Sequence, residues 1–289
     1  MNGKFRLGTS SPLEHTSPED WAEKHCSLGL GALNFQLTCE SAPAEVDAYV
    51  QSAKAHDLTI AEVGIWRNTL DPDEEARRKA IDYAIGQLAL ADHIGAKCCV
   101  NILGARGKRW DGPYKENFTR ETWELGVRTI REIIDAVNPK NTYFTIESMP
   151  WMYPTSPDEY LRLLNDVERD HFAVHMDVFN WMTTPQRYFF NEEFVDECFE
   201  KLGKNIKSCH LKDVRLEEEY TVHLTETFTG NGGVNIRHLI ETARKYNSEM
   251  PFIIEHLDSD DKYIRSVRYV QNLFNPYIRR EAQQKASCL

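Results

Sequence analysis

Eight short, apolar, β-branched runs recur along this chain, roughly every thirty to forty residues, and each is followed by a longer amphipathic stretch. The runs are KFRLG (4–8), ALNFQL (32–37), TIAEVGI (59–65), KCCVNIL (97–103), TYFTIE (142–147), FAVHMDV (172–178), IKSCHL (206–211) and PFIIEHL (251–257). Several of the stretches between them open with helix-start signals. Ser17-Pro18-Glu19-Asp20, Pro72-Asp73-Glu74, Thr119-Arg120-Glu121 and Ser156-Pro157-Asp158-Glu159 each place a cap, a proline or early acids in a first turn. Between 120 and 137, apolar residues at 123, 127, 130, 133, 134 and 137 keep helical spacing. Eight strands alternating with eight helices is the count a closed parallel barrel needs, whereas an open doubly wound sheet usually has fewer strands and often a glycine-rich first turn. No GxGxxG follows the first run. The pattern predicts an α/β fold, a single (β/α)8 TIM barrel.

Length and composition fit that prediction. The 289 residues could make two small domains or one barrel, but no low-complexity segment, charge block or Gly/Ser-rich linker divides them. One domain is expected over 1–289, with a tail from about 276 to 289. Hydrophobic residues make up 41% and charged residues 27%, and no apolar run approaches the eighteen or so residues needed to cross a bilayer. The N-terminus carries no apolar leader, so the expectation is a cytoplasmic protein with no membrane partner. Seven cysteines (26, 39, 98, 99, 198, 209, 288) are scattered without a CxxC, which fits free thiols better than a disulfide framework, and Cys98 and Cys99 read as packing residues. A net charge of −11 repels polyanions and disfavours nucleic acid as a partner, but not small neutral molecules.

In a barrel the chemistry sits at the C-terminal ends of the strands, so polar residues closing apolar runs are the ones to collect. Four stand out: Glu147, Asp177, His210 and Glu255, at the ends of runs five, six, seven and eight, separated by 30, 33 and 45 residues. A carboxylate at a buried strand end costs several kcal/mol unless compensated. Taken singly, each glutamate could be a buried ion pair and His210 a satisfied core histidine. Together, on four neighbouring strands, they call for a shared divalent cation. Three carboxylates and one imidazole suit Mn²⁺, Mg²⁺ or Co²⁺ and tolerate Zn²⁺; the set does not choose among them, and Mn²⁺ is the expected ion.

The chain resembles the sugar phosphate isomerase/epimerase superfamily of xylose-isomerase-like barrels. The resemblance runs from the first strand to about Phe274 through AEVGIW (61–66), LADHIGAKCCV (90–100), TIES (145–148), SPDEYLRLLNDV (156–167), MDVFN (176–180), GKNIKSCHLKD (203–213), GNGGVNIRHLI (230–240) and FIIEHL (252–257). It implies that Glu147, Asp177, His210 and Glu255 are metal ligands, and that Glu147 and Glu255 double as the acid/base pair in epimerase-like members. The expected activity is a metal-dependent sugar or keto-sugar isomerase or epimerase, passing a proton through a metal-stabilised enediolate. Two departures matter. Ketose epimerases and endonuclease IV relatives carry a histidine three positions after the strand-six aspartate, where this chain has Asn180, and the further histidines of a trinuclear zinc nuclease are missing from the strand ends. The first departure keeps a lyase of the inosose-dehydratase or C-glycoside-cleaving kind as the alternative. A third possibility is a barrel that binds a sugar or a protein partner without catalysis.

Around these four residues, Lys212, Asp213 and Arg215 follow the seventh run as candidate substrate contacts, with Asp213 positioned to orient His210 or Lys212. Asn180 and Trp66 are further candidates, Trp66 for stacking on a sugar; Trp151 and Trp181 could also face the site. Arg106-Gly-Lys108-Arg109-Trp110 is a compact basic cluster that either receives an anionic group or is a solvated loop. Strand alternation turns His256 away from the interior and makes it structural. The segments 183–192 and 214–233 are long for barrel connections and suit a lid or a contact with a second subunit, so a homo-oligomer or a complex with another subunit is expected.

Overall fold

The computed structural model describes residues 3–11 and 13–274, so the tail expected from about 276 lies outside the described residues. Ten strands follow in chain order: β1 (Arg6–Thr9), β2 (Ala32–Phe35), β3 (Thr59–Gly64), β4 (Cys98–Asn101), β5 (Phe144–Glu147), β6 (Phe172–Met176), β7 (Ile206–Leu211), β8 (Asp213–Glu217), β9 (His223–Thr227) and β10 (Pro251–Ile254). Eight of them pair in parallel in the order β1-β10-β7-β6-β5-β4-β3-β2, one stave for each apolar run. Every residue of β1, β4, β5, β6 and β10 is buried, as expected for parallel strands covered by helices outside and filled by side chains within. The barrel closes between β1 and β2, where Gly31 N donates to Leu7 O at 2.9 Å. Gly8 permits this approach, because a Cβ there would stand 2.5 Å from Ala32 O.

The helices are α1 (Pro18–Ser27), α2 (Pro43–Ala55), α3 (Glu74–Ile94), α4 (Arg120–Val137), α5 (Pro157–Val167), α6 (Pro185–Phe189), α7 (Asn191–Leu202), α8 (Ile236–Tyr246) and α9 (Asp260–Phe274). Their starts use the side chains that the sequence offers: Ser17, Asp73, Thr119 and Ser156 accept from Asp20 N, Ala76 N, Thr122 N and Glu159 N. In α4, Trp123, Val127, Ile130, Ile133 and Ile134 form the buried face that the spacing predicts.

Two strand boundaries position the site. The run 172–178 stops being a strand at Met176 and the run 251–257 at Ile254, so Asp177 and Glu255 are the first residues beyond their strands, while Glu147 is the last of its own. All three stand at the C-terminal mouth. The connection 214–233 differs from a plain loop: β8 and β9 form an antiparallel ribbon, with Asp213 opposite Thr227 and Glu217 opposite His223. In the segment 183–192, α6 leads into α7 and leaves Phe189 and Phe190 exposed on the surface. Cys98, Cys99, Cys198 and Cys209 are buried free thiols, and among the described residues no helix is long and apolar enough to cross a membrane.

Candidate metal centre

Glu147, Asp177, His210 and Glu255 converge at the mouth, each offering one ligand atom within 4.8 Å of the others, and together they could hold a metal ion. His210 Nδ1 lies 3.2 Å from Glu147 Oε1, 3.0 Å from Glu255 Oε2 and 3.9 Å from Asp177 Oδ2. Each carboxylate is held from behind. Asp177 Oδ1 accepts from Phe179 N and Asn180 N at 2.9 and 3.1 Å, anchoring the turn that follows β6 and leaving Oδ2 to the site. Glu147 Oε1 accepts from Asn180 Nδ2 at 3.1 Å. Glu255 Oε1 accepts from Lys212 Nζ at 2.9 Å.

Lys212 is the one ammonium in the group, and it is fully buried. Its Nζ stands 2.7 Å from Asp177 Oδ2, 2.9 Å from Glu255 Oε1 and 3.2 Å from Glu226 Oε2, the last reaching in from β9. Three carboxylates around one ammonium and one imidazole leave the centre with negative charge in excess. The electrostatics record that excess. Burial, with Glu147 and Glu255 nearby, pushes Asp177 up to about 7 despite Lys212. Burial opposes charge on His210 and Lys212, yet the surrounding carboxylates outweigh it and hold both well above their ordinary values. For Glu255 burial is outweighed by His210 and Lys212, which hold its carboxyl well below the usual range.

A divalent cation fits this donor set. Asp177 Oδ2 is buried and accepts no hydrogen bond, since Lys212 approaches it as an ion pair without hydrogen-bond geometry. His210 Nδ1 faces carboxylate oxygens at contact distance, an arrangement that requires a proton or a cation between them. A doubly charged ion held by the four residues would offset the excess.

Deeper in the barrel lies a second group that the sequence reading missed. Glu62 of β3 is fully buried; its Oε2 is 2.8 Å from His175 Nε2 and 3.4 Å from Ser208 Oγ, and its Oε1 is 3.3 Å from His210 Nε2. Burial would raise Glu62, but His210 and His175 outweigh it and hold the carboxyl down at about 2. A signal was present. Ser208 is two residues before His210 within β7, so strand alternation assigns both to the same interior face.

Above the four residues opens a cavity of about 380 Å³, lined by Ser10, Asn34, Glu62, Trp66, Ile102, Trp110, Asp111, Glu147, Met149, His210, Glu255 and His256. Of the expected substrate contacts, Trp66 is in that lining, its ring 6.5 Å from that of His210. Lys212 is turned inward onto the carboxylates instead of standing on the rim. Asn180 spends its amide on Glu147 and on Ser148 O. Asp213 accepts from the backbone of Val214, Gly230 and Val234, so it pins the loop behind β9 and does not touch His210. Arg215 is half exposed and paired with Glu217 at 2.7 Å, out along the ribbon. In the basic cluster, Arg106 donates to Leu70 O and Arg109 pairs with Asp111 at 2.6 Å, leaving Trp110 on the cavity. Trp151 and Trp181 donate to Asp111 O and Pro154 O. His256 corrects the expectation from alternation: β10 has already ended, its φ of 56° swings the ring to the cavity edge, and its Nδ1 lies 3.3 Å from Glu226.

Comparison with solved structures places this fold among known barrels. A xylose isomerase-like TIM barrel protein from Mycobacterium smegmatis, in complex with magnesium, is similar at a TM-score of 0.64 and 16% identity, covering 92% of this chain and 94% of its own. The 3-keto-D-glucoside 4-epimerase of E. coli, in its apo form, gives 0.68 at 11% identity over 93% and 99% of the two chains. An L-ribulose 3-epimerase gives 0.68 at 14% identity over 97% and 98%. Identities this low speak for the fold alone. Among curated proteins no sequence matches. The family model of xylose isomerase-like TIM barrels matches residues 30–273, most of the chain, and the protein therefore belongs to the xylose isomerase-like TIM barrel family.

Proposed function

We propose that this protein is a divalent-metal-dependent isomerase or epimerase of a sugar or keto-sugar, working by proton transfer next to a carbonyl. The observation that carries the reading is the convergence of Glu147, Asp177, His210 and Glu255, three of which, Glu147, His210 and Glu255, line a cavity of about 380 Å³, large enough for a monosaccharide. Manganese is the first candidate for the ion, although the oxygen-rich donor set suits magnesium and cobalt equally. Bound there, it supplies a Lewis acid that steadies the negative charge developing on the substrate oxygen as the proton leaves.

Glu147 and Glu255 are the residues that move the proton. They come from β5 and the end of β10, which flank β6 and β7 in the sheet, so the two carboxylates bracket the space between. One takes the proton from the carbon beside the carbonyl. Returning it to the neighbouring carbon on the same face interconverts aldose and ketose; delivery of a second proton, carried by the other carboxylate, to the opposite face of the original carbon inverts the centre. Asn180 and Lys212 position these two groups, and Trp66 offers an aromatic face to the C–H side of a sugar. That the E. coli neighbour is a 3-keto-D-glucoside 4-epimerase is in keeping with such a substrate.

A second reading, elimination, draws on His256. Its ring is 57% exposed at the cavity edge and 3.6 Å from Glu255, placed to protonate a departing group. Incubation of the metal-loaded protein with candidate keto-sugars in D₂O separates the two. Deuterium entering the substrate with no loss of water or aglycone is the expected result, and a Glu255→Gln variant should slow it about 10²- to 10⁴-fold. Unsaturated products would favour elimination, and exchange unaltered by the substitution would remove Glu255 from the reaction.

A further inference from the structure

Glu62 occupies a costly position. It lies mid-strand between Ala61 and Val63, fully buried, and among the described residues no lysine or arginine pairs with it. A carboxylate there loses several kcal/mol of hydration and needs a compensating role or partner. Its partners are two imidazoles and a hydroxyl, and one of those imidazoles belongs to His210.

We infer that Glu62 selects Nδ1 as the metal-ligating nitrogen of His210, and thereby sets how tightly the ion is held. The inference rests on the metal-site reading above. A neutral imidazole has one N–H and one lone pair. Left to the mouth of the barrel alone, the proton of His210 would settle on Nδ1, where Glu147 and Glu255 stand ready to accept it at 3.2 and 3.0 Å. The lone pair would then point into the barrel, away from the ion. Glu62 Oε1, 3.3 Å from Nε2, competes for that proton from the other side. With the N–H held at Nε2, the lone pair of Nδ1 is directed at the gap between the carboxylates.

Glu62 is itself held for this task. Its second oxygen takes a hydrogen bond from His175 Nε2 at 2.8 Å, and His175 Nδ1 is left buried without a partner, as expected of a ring whose proton is on Nε2. In the sheet His175 is in register with Glu147 on one side and Ser208 on the other, so the support is built into the ladder under the ligands. Glu62, His175 and His210 are also close enough to hold an ion of their own. However, both Nε2 atoms lie at hydrogen-bond distance from Glu62, and a shared ion would have to displace both protons. Glu62 is thus a positioning residue that acts through His210.

The direct test is long-range ¹H–¹⁵N NMR of histidine-labelled, zinc-loaded wild-type protein. The expected state of His210 is protonated Nε2 with zinc on Nδ1; a proton on Nδ1, or zinc on Nε2, overturns the inference. Metal affinity supplies the second arm, measured by competition with a chromophoric chelator. Glu62→Gln, whose amide can turn its NH₂ toward His210, should weaken binding roughly 10- to 100-fold, and Glu62→Asp should recover part of the loss. Affinity in Glu62→Gln within twofold of wild type overturns the inference while leaving the metal site in place. Two ions per wild-type chain, falling to one in Glu62→Gln, would also overturn it by making Glu62 a ligand. A wild-type chain that binds no ion at all refutes the functional reading instead.

Discussion

The two edges of the His210 ring face carboxylates in different electrical company. Toward the interior, one carboxylate, Glu62, meets two imidazoles and a hydroxyl, and both of its oxygens are partnered. Toward the mouth, Asp177 and Glu255 share a single ammonium, which Glu226 also draws on, Glu147 faces His210, and one oxygen of Asp177 accepts no hydrogen bond. The residue types are nearly the same. What differs is how the carboxylates are partnered: both oxygens of Glu62 meet hydrogen-bonding side chains, whereas the outer group has more carboxylates than cations and leaves one oxygen of Asp177 without a hydrogen bond. The comparison teaches that a ligand site is recognised less by which residues gather than by whether their charges and lone pairs are already satisfied.

Lys212→Met bears hardest on that contrast. The ammonium is the outer group's internal cation, so its loss should destabilise the chelator-treated protein by about 3–5 kcal/mol in denaturant unfolding. Saturating divalent metal should shrink the deficit, because the ion replaces part of the missing charge. A deficit of the same size with and without metal would mean that the outer group does not depend on a bound cation.

The barrel was legible because its signal is redundant. Eight apolar runs, the caps at Ser17, Asp73, Thr119 and Ser156, and the helical spacing of 123–137 all point to one architecture. Glu147, Asp177, His210 and Glu255 stood out for a related reason: a polar residue closing an apolar strand is conspicuous once the strands are aligned. Glu62 and His175 were hidden within their strands, where a single polar residue has no expected place and its partners come from strands distant in sequence. Lys212 was read as a candidate substrate contact, and its burial against Asp177 and Glu255 was not legible because it lies just past the end of β7. His256 failed in the opposite sense, since alternation was applied beyond the end of β10. The ribbon β8–β9 was obscured by its polarity: an edge pair with exposed residues on both strands has no apolar stripe to announce it.

A smaller effect marks the edge of the site. Arg215 pairs with Glu217 on the exposed ribbon, so Arg215→Ala should change stability by less than about 1 kcal/mol and leave metal affinity unmoved. A tenfold loss of metal affinity in that variant would extend the outer group along the ribbon and blur the distinction between a charge-deficient centre and its surroundings.

The central claim is that the outer group is completed by one divalent ion. Elemental analysis of the protein after equilibration with manganese, magnesium, cobalt and zinc, followed by gel filtration into metal-free buffer, tests it most directly when run beside Asp177→Asn. The account predicts about one divalent ion retained per wild-type chain and a marked loss in the variant. Wild-type protein that retains none of the four metals, or a variant that retains as much as wild type, would contradict it.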